Sequence, residues 1–264
     1  MNTQIEKIQN KDKSTWYEFL PKYVMPGKIV EFGCGSGFVL DFLSKKFKNS
    51  VIVGIDKDEQ RLAQVVERKL KNVIPIREDI TERILPGKSF DTALFIACLH
   101  EVFSYQGKEK VKACFRIARD VLKDNGVLII HDFLRPMPKL VSIGFKTTHA
   151  RKLFYRFTNE FRPRKIKFIE TKNRVKLDNA DAIEFISKLR ASSEKIWKQE
   201  MTETHFAFTK QDFQALAQQN GFVIKDTINL PRGQNWSTEI SKEIEFKFQP
   251  ASQWIQLVMK KSKK

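Results

Sequence analysis

The sequence predicts an α/β fold built on a mostly parallel, doubly wound sheet, and two observations carry that expectation. From about residue 28 to residue 132, apolar β-branched runs alternate with segments whose apolar residues recur near every 3.6 positions. Such an alternation calls for parallel strands joined by right-handed helical crossovers. The first run, Ile29–Phe32, also passes straight into Gly33-Cys34-Gly35-Ser36-Gly37 and then into a helical pattern of Phe38, Val39, Phe42, Leu43 and Phe47. Glycines at a strand-to-helix junction allow positive φ and a close backbone approach to a ligand, beside the free N–H groups of the helix start.

The elements follow in order. Residues 1–24 are expected to form an N-terminal helix with Trp16, Tyr17, Phe19 and Leu20 as its apolar side, ended by Pro21 and Pro26-Gly27. Strands are expected at 28–32, 51–55, 73–76, 91–96 and 126–132, with helices at 37–47, 58–69 and 108–123. After Leu134 the pattern breaks at Pro136 and Pro138. The segment 135–206 then reads as an insertion with a helix from about Ala180 to Glu200. A helix from Thr209 to Asn220, a strand from Phe222 to Ile228 and a last strand from Trp254 to Met259 complete the chain. The expected organisation is one domain: helix 1–24, core 25–134, basic insertion 135–206, and a C-terminal helix and strands at 207–264.

Composition bounds the function classes. An apolar share of 41% over 264 residues suffices for one packed α/β domain with an insertion. Cys34, Cys98 and Cys114 have no metal-ligand spacing, and their odd number argues against a disulfide framework. No apolar leader and no run near 18 apolar residues occurs, so the expected location is the cytoplasm and no metal is expected.

Charge is distributed unevenly. Residues 1–134 hold 22 Lys/Arg against 18 Asp/Glu, and residues 135–264 hold 26 against 13. Between Lys146 and Lys176 eleven basic residues meet only Glu160 and Glu170, interleaved with Phe145, Phe154, Tyr155, Phe157, Phe161 and Phe168. A stretch of this kind suits RNA, through phosphate neutralisation and base stacking, or an acidic lipid surface. It equally suits a solvated lysine-rich face.

The motifs are more specific. Glu31-x-Gly33-x-Gly35-x-Gly37 departs from the dinucleotide pattern G-x-G-x-x-G. Asp56 ends the second strand about 20 residues later, the spacing at which a carboxylate takes ribose hydroxyls. Glu78-Asp79-Ile80, Phe90–Ile96 and Leu122–Ile130 follow. Together these segments cover residues 25–134 and resemble the class I S-adenosylmethionine-dependent methyltransferases. The resemblance implies a Rossmann-like, mostly parallel seven-stranded sheet with an antiparallel last strand. It also implies S-adenosyl-L-methionine as cofactor and an inserted, mainly helical lid over the acceptor. Residue by residue, it puts Gly33, Gly35 and Gly37 along the methionine and ribose and Glu31 near the methionyl ammonium. Asp56 falls on the ribose hydroxyls, Asp79 with Ile80 at the adenine, and Cys98 in the cofactor site.

For the acceptor the residues say less. The end of the fourth strand reads Ala97-Cys98-Leu99-His100-Glu101-Val102, without the Asn/Asp-Pro-Pro-Tyr/Phe motif of adenine amino methyltransferases. It also lacks the Pro-Cys of cytosine enzymes, which argues against Cys98 as a nucleophile. The Leu-His-Glu run resembles small-molecule methyltransferases, so a small-molecule acceptor is expected, with His100 as a candidate base or orienting group. His131, at the end of the fifth strand, and His205, at the end of the insertion, are the other catalytic candidates. The alternative is an RNA methyltransferase or RNA-binding protein that uses residues 146–176.

Overall fold

The computed structural model describes residues 20–189, 191–230, 240–246 and 254–262. Its main sheet holds seven strands: β1 (Lys28–Phe32), β2 (Val51–Asp56), β3 (Val73–Arg77), β4 (Phe90–Ile96), β5 (Leu122–Phe133), β9 (Phe222–Leu230) and β11 (Trp254–Lys261). Their order is β3-β2-β1-β4-β5-β11-β9. The first five pair in parallel, while β11 runs antiparallel to both neighbours. This is the Rossmann-like architecture with an antiparallel last strand, as expected.

Both faces of the sheet are covered because neighbouring strand residues point to opposite sides. Val30 and Phe32 meet Val111, Phe115 and Ala118 of α5 (Lys108–Val121) and Phe213 and Leu216 of α9 (Lys210–Gln219). Ile29 faces the other way, toward Leu40 and Leu43 of α2 (Phe38–Lys46) and Leu62 and Val65 of α3 (Glu59–Glu67). Leu20 of the short α1 (Leu20–Tyr23) is fully buried in that second layer. The rest of the expected N-terminal helix, with Trp16, Tyr17 and Phe19, lies outside the described residues. Asp58 caps α3 by accepting from the N–H groups of Gln60 and Arg61.

The insertion holds more than the helices expected of it. It carries a second, antiparallel sheet of order β10-β6-β8-β7, made of β6 (Leu140–Phe145), β7 (Phe168–Thr171), β8 (Arg174–Asp178) and β10 (Ile244–Phe246). β8 alternates Val175 and Leu177 inward with charged residues outward, a period of two that no helix satisfies. A two-residue turn at Lys172-Asn173 returns it along β7. β10 comes from the C-terminal part of the chain, so the insertion is closed by residues about forty positions beyond its nominal end.

Three helices pack on this sheet: α6 (Thr148–Glu160), α7 (Asn179–Lys188) and α8 (Glu194–Glu200). The single helix expected from Ala180 to Glu200 is therefore two, the second capped by Ser193 accepting from Ile196 N–H. Phe154, Phe157, Phe185 and Ile186 are fully buried here, in a core separate from those of the main sheet. α7 is buried nearly all round, Asp181, Glu184 and Lys188 included, because it lies between the second sheet and the main core. No helix among the described residues is long and apolar enough to cross a membrane.

Candidate active site

The site lies at the carboxyl ends of β1, β2 and β4, with α4 (Leu99–Gln106) along one side. The glycine turn that leaves β1 is bent hard. Gly33 has φ +73° and a Cβ there would stand 2.8 Å from Cys98 Cβ. Gly37 has φ +79°, with Val65 2.9 Å from where its Cβ would be. Both positions combine left-handed backbone with close packing, so only glycine suits them. Gly35 N–H donates to Asp56 Oδ2 at 2.8 Å, and Asp56 Oδ1 accepts from Asp58 N–H at 2.9 Å. The end of β2 thus holds the turn after β1 in place.

Beside the turn a cavity of about 440 Å³ opens. Gly33, Asp56, Asp79, Ile80 and Cys98, each expected in the cofactor site, line it together. Asp79 Oδ1 accepts from Thr81 N–H at 2.9 Å, and Oδ2 accepts from Gln106 Nε2 at 3.1 Å. Burial opposes ionisation of Asp79, but Thr81, Gln106 and Lys57 together hold its carboxyl below the usual range. Glu31 is buried on β1, behind the turn, with its Oε2 facing no hydrogen-bond donor. Burial, then the nearby Asp56, pushes its carboxyl well up. A buried carboxylate oxygen without a donor is what a cationic ligand group would satisfy, and a cavity of this size suits a nucleoside cofactor. The residues present therefore fit S-adenosylmethionine.

Several wall residues were invisible in the sequence pattern. Glu101, Val102, Tyr105 and Gln106 all face the cavity, at the spacing of one face of α4. Gln199 and Thr202 of the insertion complete the lining. The helix is aimed by Ala97, a non-glycine residue at φ +53° whose N–H donates to the His131 carbonyl at 2.7 Å. Left-handed backbone at alanine costs about 1 kcal/mol, so the turn is held in place by its surroundings.

None of the three histidine candidates lines this cavity. His100 is 3% exposed and turns to the opposite side of α4. Its Nδ1 lies 2.6 Å from Asp132 Oδ1 and its Nε2 lies 3.2 Å from Glu203 Oε1. Burial would push its pKa down, but Asp132 and Glu203 outweigh that and hold it well above the ordinary value. An imidazolium bonded through both nitrogens has no lone pair with which to act as a base. His131 is buried against Trp254, ring to ring at 4.9 Å, and burial pushes it down to about 4. His205 stacks on Phe133 at 4.7 Å, and its Nδ1 is 3.1 Å from Ser187 Oγ.

His100 and His205 belong instead to a buried ionic junction between the core and the insertion. Lys188, fully buried, donates to Glu200 Oε2 at 2.7 Å and to the Glu203 carbonyl at 3.0 Å, with Glu184 Oε1 3.3 Å away. Arg164 reaches Asp181 at 2.7 Å and the Thr204 hydroxyl at 2.9 Å. Glu184, also fully buried, accepts from the Thr204 hydroxyl and from His205 N–H. Burial would raise its pKa, but Lys188, His205 and Arg164 bring it down to about 2. The ligand atoms of His100, Glu203 and His205 lie within 4.8 Å of one another, a grouping compatible with a metal ion. The Lys188 ammonium stands 3.5 Å from His205 Nε2, so a positive charge already serves those carboxylates.

The basic stretch is partly spent on similar pairs. Arg151 pairs with Glu170, Arg156 with Glu160 and Glu194, Arg164 with Asp181, and Arg174 with Glu245. Arg162, Lys165 and Lys167 are exposed and pair with no carboxylate among the described residues.

Comparison with known proteins gives a consistent picture. Residues 30–128 match the family model of a methyltransferase domain. A curated relative, the malonyl-[acyl-carrier protein] O-methyltransferase of Bacillus cereus, is 32% identical over 107 residues, 40% of this chain and 37% of that protein. The match thus spans little more than a third of the relative's length. Among solved structures, an S-adenosylmethionine-dependent methyltransferase from Mesorhizobium loti superposes with a TM-score of 0.59 at 16% identity, over 93% of this chain and 97% of that one. The 1,6-didemethyltoxoflavin-N1-methyltransferase of Burkholderia thailandensis, solved with S-adenosylhomocysteine, gives 0.53 at 13% identity, over 90% and 72%. At such identities the structural likeness speaks for the fold.

Proposed function

We propose that the chain is, through its core, a class I S-adenosylmethionine-dependent methyltransferase and that it transfers a methyl group to an oxygen or nitrogen atom of a small-molecule acceptor, a reading supported by the methyltransferase-domain match over residues 30–128. S-adenosylmethionine is the cofactor of this family and would supply the methyl group. Glu31, Gly33, Gly35, Gly37, Asp56, Asp79, Ile80 and Cys98 would hold it, Asp56 at the ribose and Asp79 with Ile80 at the adenine.

The observation that supports the small-molecule reading is the contribution of the insertion to the cavity wall. Gln199 and Thr202 line it beside the cofactor residues, so the cavity is bounded by two parts of the chain and measures about 440 Å³. A cofactor of this class fills most of such a volume, and the remaining space suits a compact acceptor. Methyl transfer needs the acceptor lone pair held in line behind the methyl carbon, and a bounded cavity supplies that orientation. Among relatives of this core, one is named for an O-methyl transfer and one structure for an N-methyl transfer, which supports either atom as acceptor.

The test is labelled-methyl transfer into a macromolecule-free cell extract and, separately, into total RNA, each at 50 and 300 mM salt. Label in the small-molecule fraction with little salt dependence is the expected result. Label in RNA that falls steeply with salt would overturn the reading and give the exposed cations Arg162, Lys165 and Lys167 a phosphate-binding role.

A further inference from the structure

We propose that Glu101 is the general base of the reaction, the group that takes the proton lost by the acceptor oxygen or nitrogen. The inference rests on the methyltransferase reading above and concerns the same cavity.

It follows first from elimination among the groups that reach the cavity. Asp56 is committed to Gly35 N–H and Asp58 N–H, and Asp79 to Thr81 N–H and Gln106. Asp58 is tied to the first turn of α3 through the N–H groups of Gln60 and Arg61. The Tyr105 hydroxyl donates to Glu203 Oε2 at 3.2 Å, and burial helps push that phenol up to about 12. Cys98 is buried, donates to the Phe32 carbonyl at 3.3 Å, and burial pushes its thiol well up. Glu101 is left as the one carboxylate on the cavity wall with no hydrogen bond to the described residues.

Its position argues the same way. The left-handed Ala97 ends β4 abruptly, and one helical turn later Glu101 points into the cavity between Ala97 and Tyr105. In the first turn of α4 the helix dipole favours a charged carboxylate. Burial, aided by Glu203 and Asp56 and opposed by His100 and Arg61, still raises its pKa. A base of raised pKa accepts a proton more readily, which is how enzymes tune carboxylates for this work.

The step balances. The acceptor atom forms its bond to the methyl carbon as the carbon–sulfur bond breaks and leaves its electron pair on sulfur. The acceptor's proton passes to Glu101, so one positive and one negative charge vanish together in a partly enclosed site. That loss of charge is favoured where the dielectric is low.

The test compares wild type with Glu101→Gln and Glu101→Asp. Calorimetry at pH 8 with S-adenosylhomocysteine and with sinefungin, whose ammonium replaces the methylated sulfonium, reads the carboxylate without any acceptor. Wild type is expected to prefer sinefungin by about tenfold, one charge pair at modest strength, and Glu101→Gln to lose that preference while keeping its affinity for S-adenosylhomocysteine within about twofold. With the macromolecule-free extract as acceptor pool, Glu101→Gln should transfer label about 100-fold more slowly and lose the acid limb of the pH profile, and Glu101→Asp should recover part of the rate. An unchanged sinefungin preference, or an unchanged rate and pH profile in Glu101→Gln, would overturn the proposal. Failure of wild type to bind S-adenosylhomocysteine at all would overturn the methyltransferase reading beneath it.

Discussion

Two clusters of acidic residues are reached from the same helix, α4, through His100 and Glu101, and are built on opposite terms. At the cavity and the turn behind it, Asp56 and Asp79 accept N–H groups of the chain, while Glu31 and Glu101 keep oxygens with no donor among the described residues. At the junction between core and insertion, Asp132, Glu184, Glu200 and Glu203 each meet His100, Lys188 or His205. His100 and Glu101 are neighbours in sequence, yet one helical step sends the first into the paired cluster and the second into the open one. Pairing, more than residue type, separates a group that holds structure from a group available to a ligand.

Mutations on the two sides should accordingly fail in different ways. The largest effect is expected for Glu184→Ala, which removes one of the two carboxylates serving the buried Lys188 and leaves the Thr204 hydroxyl and His205 N–H without their acceptor: a loss of about 3–5 kcal/mol in urea unfolding, with cofactor affinity of the folded fraction unchanged. A loss under about 1 kcal/mol would mean that water reaches the junction. Asp56→Ala should do the reverse. Removing charge-assisted hydrogen bonds worth about 1.5–3 kcal/mol should weaken S-adenosylhomocysteine binding by roughly 10- to 100-fold, at a much smaller cost in melting temperature.

The pH dependence of stability sharpens the contrast. His131 is depressed to about 4 from 6.5, so its contribution is present above pH 6.5 and is lost as pH falls toward 4. Glu184, depressed to about 2 from 4.5, loses its contribution below pH 4.5. His100 is raised, so its contribution is complete below 6.5 and disappears as pH rises through its folded value. Urea midpoints should therefore fall on acidification from pH 6.5, and His131→Phe should flatten the part of that fall above pH 4.5. The smallest effect is expected for Arg162→Glu, Lys165→Glu and Lys167→Glu together, within about 0.5 kcal/mol of wild-type stability, because these side chains are exposed.

How much of this could be read from the residues alone differs between the same two regions. The strand order of the core and the cavity-lining Gly33, Asp56 and Asp79 were legible because strand, glycine turn and acidic strand end are local patterns. The second sheet was not. β7 and β8 are short and rich in polar residues, and β10, which pairs with β6 at the other edge, arrives from the far end of the chain. Glu101 was hidden because a helix face can be assigned only once the helix start is known, and the left-handed Ala97 that sets it leaves no mark in composition. Lys188 reads as surface in any hydropathy pattern, and its burial depends on carboxylates 4 and 12 residues away and a backbone carbonyl 15 residues away folding back onto it. The histidines drew attention as catalytic residues for their chemistry, which the structure uses in part to join two halves of the molecule.

The most direct measurement is a calorimetric titration of wild type and Asp56→Ala with S-adenosylmethionine and S-adenosylhomocysteine, with NAD as control. Binding of both adenosyl ligands to wild type, none of NAD, and an affinity at least about tenfold lower in a folded Asp56→Ala protein is the result expected of a methyltransferase cavity. Equal affinity in the variant would contradict the assignment of the ribose to Asp56. No binding to wild type would contradict the cofactor site itself.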